Sequence, residues 1–465
     1  MITADMRKVK LGRILDVKRG ASLSGQYYDT KGKYIRLTLS NIDYPGGGFK
    51  ENTSKDNIYF TGPIKDEFIM KKGDIITPLT EQVSGLLGET ARIPEDDKYI
   101  QSGDVGHVIP DTSQLDDSFA YYLMSSPSVK QQLSAAAQQT KIRHTSPDKI
   151  KDCIVWLPCM TYQQKAGKLL DSINERIRNN NAISSELESL AKTIYDYWFL
   201  QFDFPDENGR PYRSSGGKMT FNKELKREIP YGWKVNELKD ILWLARGTSY
   251  SSSDLDETGI PMINLGNFCV GGGYKNDNLK HYRGKYRADQ IIKPYDLIVC
   301  LTQQTDIDPS KDVIGFSLYV PDAFEDSDII ISQDLSKIEC NNVYKGYLWM
   351  LFKTSYFHKY ITGYASGSNI LHLNVDGIYN YKDVIPDRDI LNNYYLICKN
   401  IWKEQSRLLS ENQQLSSLRD FLIPLLMNGQ VTFKEAEIIV QMKPDPVRYE
   451  YKPHHDMVAE KKNKF

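Results

Sequence analysis

The stretch GDIITPLT at residues 73–80 returns later in the chain as YDLIVCLT at residues 295–302. Three further strings recur in the same order, at offsets that drift only between 222 and 228: Lys18-Arg19-Gly20 as Ala245-Arg246-Gly247, GGGF at 46–49 as GGGY at 271–274, and Ile142-Arg143-His144 as Ile370-Leu371-His372. One matching triplet would be chance, but several in one order indicate duplication. The sequence therefore predicts two similar halves related by a pseudo-twofold internal repeat.

Length and composition set the class of protein. The chain has 465 residues, of which 40% are apolar and 26% charged, so two or three folded domains are expected. It has no apolar run of about 18 residues and no secretory signal at its start, which predicts a cytoplasmic protein. The six cysteines form no C-x-x-C pair, so we expect neither a zinc knuckle nor a disulfide framework.

Each half begins with short apolar runs separated by Gly, Pro, Asn and Asp, a pattern typical of strands and loops. The period then changes to steps of three and four residues, which indicates a long amphipathic helix after Pro158 and another after Pro386. The fold class predicted is α/β (mixed α+β), with two globular domains and two long helices. Pro424 is expected to end or kink the second helix near Ile423.

Both long helices have polar residues at their middles, and we predict that they pack on each other as an antiparallel coiled coil. Asn180 would then lie near Glu404 or Asn412. The alternative is that each helix lies flat on its own sheet. The predicted contact line, called the helix-pair seam below, comprises Ile173, Ile177, Asn180, Leu187, Leu190, Ile194, Ile401, Leu408, Leu415 and Leu418.

Turn formers and composition shifts give the predicted boundaries. They are a first domain at 1–156, a first long helix region at 157–204, a linker at 205–232, a second domain at 233–385, a second long helix region at 386–430 and a C-terminal tail at 431–465.

Known catalytic motifs are missing. The chain has no phosphate-binding G-x-x-x-x-G-K-[ST], no H-E-x-x-H, no G-x-S-x-G, and no D-P-P-Y or N-P-P-[YF] tetrapeptide. Asp445, Glu450 and Lys452 resemble a metal nuclease set but lie in a proline-rich tail. We therefore expect no catalytic residue, no bound metal and no bound cofactor, and an enzyme using the tail acids is the minority hypothesis.

Several segments have the composition of a nucleic-acid contact. The segment 280–287 contains Lys280, Arg283, Lys285 and Arg287 with two tyrosines, and 141–144 contains Lys141, Arg143 and His144. Polar loops follow Thr80 and Thr302 at equivalent places, and glutamine reads adenine well. Each segment is also explained as an ordinary solvated loop, and His144 and His372 are also explained as structural histidines.

Longer strings carry a resemblance to a known family. LPCMTYQQK at 157–165 opens the first helix, YWFLQFDFP at 197–205 closes it, and IPYGWKVNELKDI at 229–241 enters the second domain. The chain resembles the specificity subunit of Type I restriction-modification systems over nearly its whole length. Two departures are Gln163, where the family has an acid, and the IPDR entry at 385–388, which lacks the Glu-Gln pair.

The resemblance implies a division of labour. Each domain would be a target-recognition domain reading one half of a bipartite site in double-stranded DNA, and the helix pair would fix the unread spacer. Two modification subunits would dock on the helices with S-adenosylmethionine and methylate adenine, while restriction subunits would bring ATP and Mg²⁺. The DNA sequence and spacer length are not predictable.

The repeat then assigns roles to the candidates under this resemblance. Residues shared between halves should serve folding or phosphate contact, namely Arg19, Arg246, His144 and His372. Loop positions that differ should read bases, namely Gln82, Ser84, Lys141 and Arg143 in one half and Gln303, Gln304, Thr305, Ser368 and Asn369 in the other.

The charge balance qualifies DNA binding. The chain has 59 Lys+Arg against 60 Asp+Glu, and residues 234–385 have 15 against 19. A lone DNA binder usually has a basic excess. We therefore expect weak, salt-sensitive binding by the isolated chain and tight binding only with modification subunits. A helix-pair scaffold whose duplicated domains bind protein is the remaining alternative.

Overall fold

The computed structural model describes residues 6–44, 47–52, 57–81, 85–136, 143–276, 279–304, 312–324 and 328–431. These residues form two compact units. The first unit consists of the described residues up to 174 together with 414–431, and the second consists of 175–413.

The first unit contains twelve strands among its described residues: β1 (Met6–Lys10), β2 (Leu15–Arg19), β3 (Tyr28–Asp29), β4 (Tyr34–Arg36), β5 (Tyr59–Phe60), β6 (Ile75–Pro78), β7 (Thr80–Glu81), β8 (Ala91–Arg92), β9 (Tyr99–Ile100), β10 (Val105–Pro110), β11 (Arg143–His144) and β12 (Ile154–Pro158). Its short helices are α1 (Asp117–Met124), α2 (Pro127–Ala136) and α3 (Pro147–Lys151). The sheet orders are β2-β10-β6-β8, β3-β5-β4-β9, β1-β12 and β11-β7.

The long helix α4 (Met160–Tyr195) contributes to both units and continues as a π-helical turn over Asp196–Leu200. The strands of the second unit are β13 (Met219–Asn222), β14 (Arg227–Pro230), β15 (Lys234–Glu237), β16 (Leu242–Arg246), β17 (Leu255–Ile263), β18 (Lys280–Tyr282), β19 (Ile291–Ile292), β20 (Leu297–Cys300), β21 (Thr302–Gln304), β22 (Ser317–Tyr319), β23 (Ile329–Ile331), β24 (Leu335–Cys340), β25 (Ala365–Ser366), β26 (Ile370–Leu373) and β27 (Lys382–Ile385). Its short helices are α5 (Asn342–Leu351), α6 (Ser355–Ile361) and α7 (Asp376–Tyr379), and the second long helix is α8 (Arg388–Met427).

The strand orders confirm the predicted duplication. The second unit has sheets β16-β24-β20-β22, β18-β17-β23-β19, β21-β26-β25, β15-β27 and β13-β14. The first of these matches β2-β10-β6-β8 strand for strand, while β15-β27 matches β1-β12 and β21-β26 matches β7-β11. The mixed fold class predicted from the sequence is therefore confirmed.

The quoted repeat forms the central strand of each main sheet. In β20, Ile298 and Cys300 face the core shared with β17, β19 and β23. The alternate residues Leu297 and Val299 face the larger core that includes residues of α5, α6 and the long helices. Because both faces of this strand are buried, its sequence is a continuous apolar run instead of an alternating one.

The two long helices run antiparallel, as predicted. Within the second unit, Gln405 Nε2 donates to the Ser184 carbonyl at 2.9 Å, and Asn180 Nδ2 donates to Asn412 Oδ1 at 2.9 Å. Within the first unit, Arg419 donates to Asn174 Oδ1 at 3.1 Å. Partners on α8 advance along the sequence as those on α4 recede. The helices therefore pack on each other, against the alternative that each lies only on its own sheet.

Burial tests the predicted seam residue by residue. Ile173, Asn180, Ile401, Leu408 and Leu418 are buried. The half-buried members are Ile177, Leu187, Ile194 and Leu415.

Leu190 is 50% exposed, so its assignment to the seam is wrong. Contact positions in a helix pair are alternately three and four residues apart. The contact position after Leu187 is Ala191, four residues on, and Ala191 is fully buried. The Ala191 carbonyl accepts a hydrogen bond from the buried Tyr394 hydroxyl at 2.8 Å. The seam therefore continues through a small residue that an apolar pattern overlooks.

Two other expectations differ from the structure. Helix α8 continues past Pro424 to Met427, so the helix does not end at Ile423, and the alternative that Pro424 kinks it stays a prediction. Residues 205–232, predicted as a linker, contain the hairpin β13-β14. Ile229 of that hairpin is buried with Phe204 and Trp233 in the core of the second unit. The turn-forming residues of this segment indicate its bends, but they do not show that its apolar side chains pack in a core.

Candidate nucleic-acid interface

In the second unit, the sheet β21-β26-β25 brings several candidates together. Gln304 pairs with Ile370, and His372 pairs with both Thr302 and Ser366. Ser368 and Asn369 lie in the connection between β25 and β26. All four candidate side chains, Gln304, Ser368, Asn369 and His372, are exposed. This sheet therefore presents a polar surface to solvent, and His372 is not a core histidine.

The first unit repeats this arrangement with the pair β7-β11. Arg143 pairs with Glu81, and His144 pairs with Thr80. The His144 side chain is exposed, so it is not a core histidine either. The candidates Gln82, Ser84, Lys141 and Thr305 lie outside the described residues, and Arg143 is described here by its backbone alone.

The structure argues against the assignment of Gln303 as a base reader. Its side chain is only 6% exposed, and its Oε1 accepts hydrogen bonds from the backbone N–H groups of Val313 at 2.7 Å and Ile314 at 3.2 Å. The oxygen needed to recognise a base is therefore occupied within the protein. This correction leaves Gln304, the exposed neighbour, as the candidate on β21.

Arg19 and Arg246 end the equivalent strands β2 and β16, and both side chains are exposed. The glycine after each arginine is required by close backbone approach. A Cβ on Gly20 would overlap the Ser102 carbonyl oxygen, and one on Gly247 would overlap that of Ser332. The shared Arg-Gly pair therefore combines a packing requirement at the glycine with a cation that is available to a phosphate.

Acidic neighbours partly neutralise the cationic segment 280–287. Arg283 forms an ion pair with Asp256 at 3.0 Å, and Arg287 binds Asp289 through two nitrogens at 2.9 and 3.0 Å. Lys280 Nζ lies over the Tyr250 ring, 4.7 Å from its centroid. Lys285 is exposed. A DNA phosphate would thus compete with Asp256 and Asp289 for the two arginines, although exposed ion pairs of this kind are weak.

A basic side chain lies beside an equivalent aspartate on each main sheet. In the first unit, His107 Nε2 lies 3.6 Å from Asp74, and in the second unit Lys337 Nζ lies 3.1 Å from Asp296. Lys345 also contacts Asp296 at 3.0 Å. Although burial opposes the change, the charge of Lys345 lowers the pKa of Asp296. These groups are partnered within the fold, so they serve its stability.

Two absences apply to the described part of the chain. It contains no group of three or more His, Cys, Asp or Glu side chains arranged to hold a metal ion. None of its helices is both long and apolar enough to cross a bilayer.

Sequence reasoning missed Glu81, the equivalent of Gln303 in the repeat. Its side chain is 4% exposed, and Oε1 accepts hydrogen bonds from the N–H groups of Gly85 and Leu86. The signal available was its position directly after the shared threonines, Thr80 and Thr302. Glu81 and Gln303 differ in charge but both have a side-chain acceptor oxygen, which indicates a shared acceptor role at this position of the repeat. The sequence pattern alone assigns both only to polar loops.

The fold is a duplicated two-domain fold, and the equivalent strand pairs β7-β11 and β21-β26 carry an exposed histidine, His144 or His372, in each half. Residues 4–189 match the family model described as the Type I restriction modification DNA specificity domain.

Relatives extend this likeness along the chain. The MjaIX specificity subunit of a Type I restriction enzyme from Methanocaldococcus jannaschii is 21% identical over 338 residues, covering 71% of this chain and 72% of that protein. The HindI specificity subunit from Haemophilus influenzae is 20% identical, covering 86% of this chain and 92% of its own. The resemblance to Type I specificity subunits is therefore confirmed.

A solved structure shares the fold. The S subunit of a Type-I restriction-modification system from M. genitalium aligns with a TM-score of 0.52 at 15% identity, covering 91% of this chain and 96% of that one. The predicted architecture of two domains with a long helix pair is thereby confirmed.

Proposed function

We propose that this chain is the DNA sequence-specificity subunit of a Type I restriction-modification complex. Each unit reads one half of a bipartite site in double-stranded DNA, and the helix pair fixes the unread spacer. The observation that carries the proposal is the repeated strand pair, β7-β11 and β21-β26, which carries the exposed His144 in one unit and the exposed Gln304 and His372 in the other. The main sheets of the two units also match in strand order.

Base reading is assigned to exposed side chains of this surface. Gln304, Ser368 and Asn369 are the exposed candidates of the second unit. In the first unit the same role is assigned by the repeat to Arg143, Gln82 and Ser84, whose side chains lie outside the described part of the structure. Amide and guanidinium groups form bidentate hydrogen bonds with base edges in the major groove, which is how sequence is read. The exposed Arg19 and Arg246 supply phosphate contacts, which fix register without reading sequence.

Catalysis belongs to partner subunits in this proposal. Two modification subunits dock on the long helices and use S-adenosylmethionine to methylate adenine, and restriction subunits bring ATP and Mg²⁺. In this proposal the chain selects the DNA site, and its partner subunits catalyse the reactions there.

The near-neutral charge fits a DNA binder that works within a complex. Because counterion release supplies much of the binding free energy, a chain with 59 basic against 60 acidic residues gains little of it alone. Modification subunits that close around the duplex add the missing phosphate contacts.

Mapping of methylated adenines in cells with and without the gene tests the proposal. Loss of one bipartite methylated motif on deletion, and its return on complementation, is expected. An unchanged methylome would refute the proposal and favour the alternative scaffold that binds protein through its duplicated domains.

A further inference from the structure

Glu81 and Gln303 occupy equivalent positions in the repeat, directly after Thr80 and Thr302. Both residues lie on the strand that leads into a candidate recognition loop. Their side chains are 4% and 6% exposed, so neither reaches DNA as placed. Polar side chains this deeply buried need partners within the protein.

In the second unit, the Gln303 amide oxygen is the partner of two consecutive backbone donors. The N–H groups of Val313 and Ile314 donate to Oε1 at 2.7 and 3.2 Å. In the sequence, residues 304–312 lie between Gln303 and these two donors. Gln303, and its equivalent Glu81 in the first unit, are called the clamp residues below. One side chain therefore joins the end of β21 to Val313 and Ile314, and the candidate readers Gln304 and Thr305 lie between these points in the sequence.

The first unit has the same contact with a different residue type. Glu81 Oε1 accepts from the N–H groups of Gly85 and Leu86, the latter at 3.0 Å. Residues 82–84 lie between them in the sequence and include the candidate readers Gln82 and Ser84. Glutamate and glutamine share an acceptor oxygen at the same reach, so the repeat has kept the acceptor and not the charge.

The backbone of each clamp residue pairs with a second strand that carries candidate residues. Gln303 pairs with Leu371 across β21-β26, and Glu81 pairs with Arg143 across β7-β11. Each residue thus links the loop after its strand with the strand that carries Arg143-His144 or His372. Glu81 and Gln303 therefore each make two connections, one through the side chain and one through the backbone.

In each unit the second short helix also contacts residues near these backbone donors. His358 of α6 lies 3.4 Å from Asp312, with its ring stacked on Phe316 at 4.4 Å. Lys130, the equivalent residue of α2, binds the buried Glu89 at 2.6 Å.

We propose that Glu81 and Gln303 are positioning residues that set the sequence specificity of the two half-sites, a role that rests on the proposed function above. Neither residue touches a base. Each holds the ends of a reading loop at a fixed separation, because a base contact discriminates only when its donor and acceptor meet the base edge in one geometry.

The test is methylome mapping in cells that express the complete complex with variants of this chain. Gln303→Met keeps the side-chain length and removes the acceptor. It should relax one half-site, raising methylation of sites with a mismatch there by about tenfold, while the other half-site stays strict. Glu81→Met should relax the opposite half-site. Gln303→Glu and Glu81→Gln, which retain the acceptor oxygen, should keep the wild-type motif.

Thr302→Val is the matched control. Thr302 lies on the same strand with the same 6% exposure, and its Oγ1 donates to Asp334 at 3.0 Å, away from the clamp. This variant should leave the motif unchanged. The inference is overturned if Gln303→Met leaves both half-sites strict, or if it lowers methylation uniformly without relaxing either. If deletion of the gene removes no motif, the proposed function itself has failed.

Discussion

Asn180 and Asn412 form a side-chain amide pair across the two long helices, with Nδ2 of Asn180 donating to Oδ1 of Asn412 at 2.9 Å. Asn180 is only 2% exposed, and Asn412 in turn donates to Asn181 Oδ1 at 2.8 Å. The neighbouring Arg176 binds Glu411 at 2.7 Å. A polar layer therefore replaces apolar packing at the middle of the helix pair.

Removing one partner of this pair should be costly. Asn180→Leu leaves the half-buried Asn412 oxygen without its donor, and we expect a loss of about 1 kcal/mol in the free energy of unfolding. The double variant Asn180→Leu with Asn412→Leu should recover most of that loss, since two apolar groups pack without a desolvated amide. A double-mutant cycle measured by denaturant unfolding checks this, and additive losses would contradict it.

The close approach at Gly247 gives a second prediction. Gly247→Ala should destabilise the second unit by about 1–3 kcal/mol, because the added Cβ meets backbone that has no room to move. Gly363→Ala is the control, since a Cβ there has no neighbour within 4 Å. Calorimetry on the two variants should separate them, and equal melting temperatures would show that the site relaxes.

Asp383 predicts an unusual pH dependence. Burial raises its pKa, against the hydrogen bond that it accepts from Tyr347 at 2.7 Å. A carboxyl with a raised folded-state pKa favours folding more as pH falls through that pKa towards the unfolded value. Asp383→Asn, which is neutral at every pH, should therefore be at least as stable as the wild type at neutral pH. Any stability advantage of Asp383→Asn over the wild type should shrink as the pH falls, because protonation then neutralises Asp383 in the wild type.

Asp296 should show the opposite sign and serves as the comparison. Lys345 and Lys337 lower its pKa despite burial, so its contribution is present at neutral pH and is lost as pH falls through the folded-state pKa. Asp296→Asn should destabilise the chain at neutral pH and flatten its acid response. Unfolding midpoints between about pH 3 and pH 8 test both residues, and the same slope for both variants would contradict the assignment.

Arg246 gives a prediction on DNA. Arg246→Ala should weaken binding of the complete complex equally for all sequences and reduce the salt dependence of the affinity by about one counterion. The methylated motif should stay the same, because a phosphate contact does not read bases. Binding measured over a salt series, with Lys285→Ala as a second exposed cation, checks the assignment. A changed motif would make Arg246 a base reader.

The sequence predicted the duplication, the fold class and the helix pair because each depends on a repeated or periodic pattern. The placement of Asn180 beside Asn412 followed from the same pattern. Leu190 was assigned wrongly because the apolar period does not distinguish a seam leucine from an exposed one when alanine occupies the seam. Gln303 was assigned wrongly because a polar residue beside a loop has the same letter whether it faces solvent or caps backbone donors. Only the burial and the direction of the side chain separate these cases.

The first unit is built from both ends of the described chain, since residues 414–431 belong to it and not to the second unit. Within it, the Tyr162 hydroxyl bonds to the Leu426 carbonyl at 3.4 Å and to that of Val431 at 2.9 Å. During synthesis, the half that leaves the ribosome first must wait for the last turns of α8. The second unit consists of residues 175–413, so all of its residues are synthesised before residues 414–431 of the first unit. The unit whose synthesis begins first is therefore the last to have all its residues available. Truncation of α8 from its C-terminal end would remove part of the first unit and leave the second unit intact.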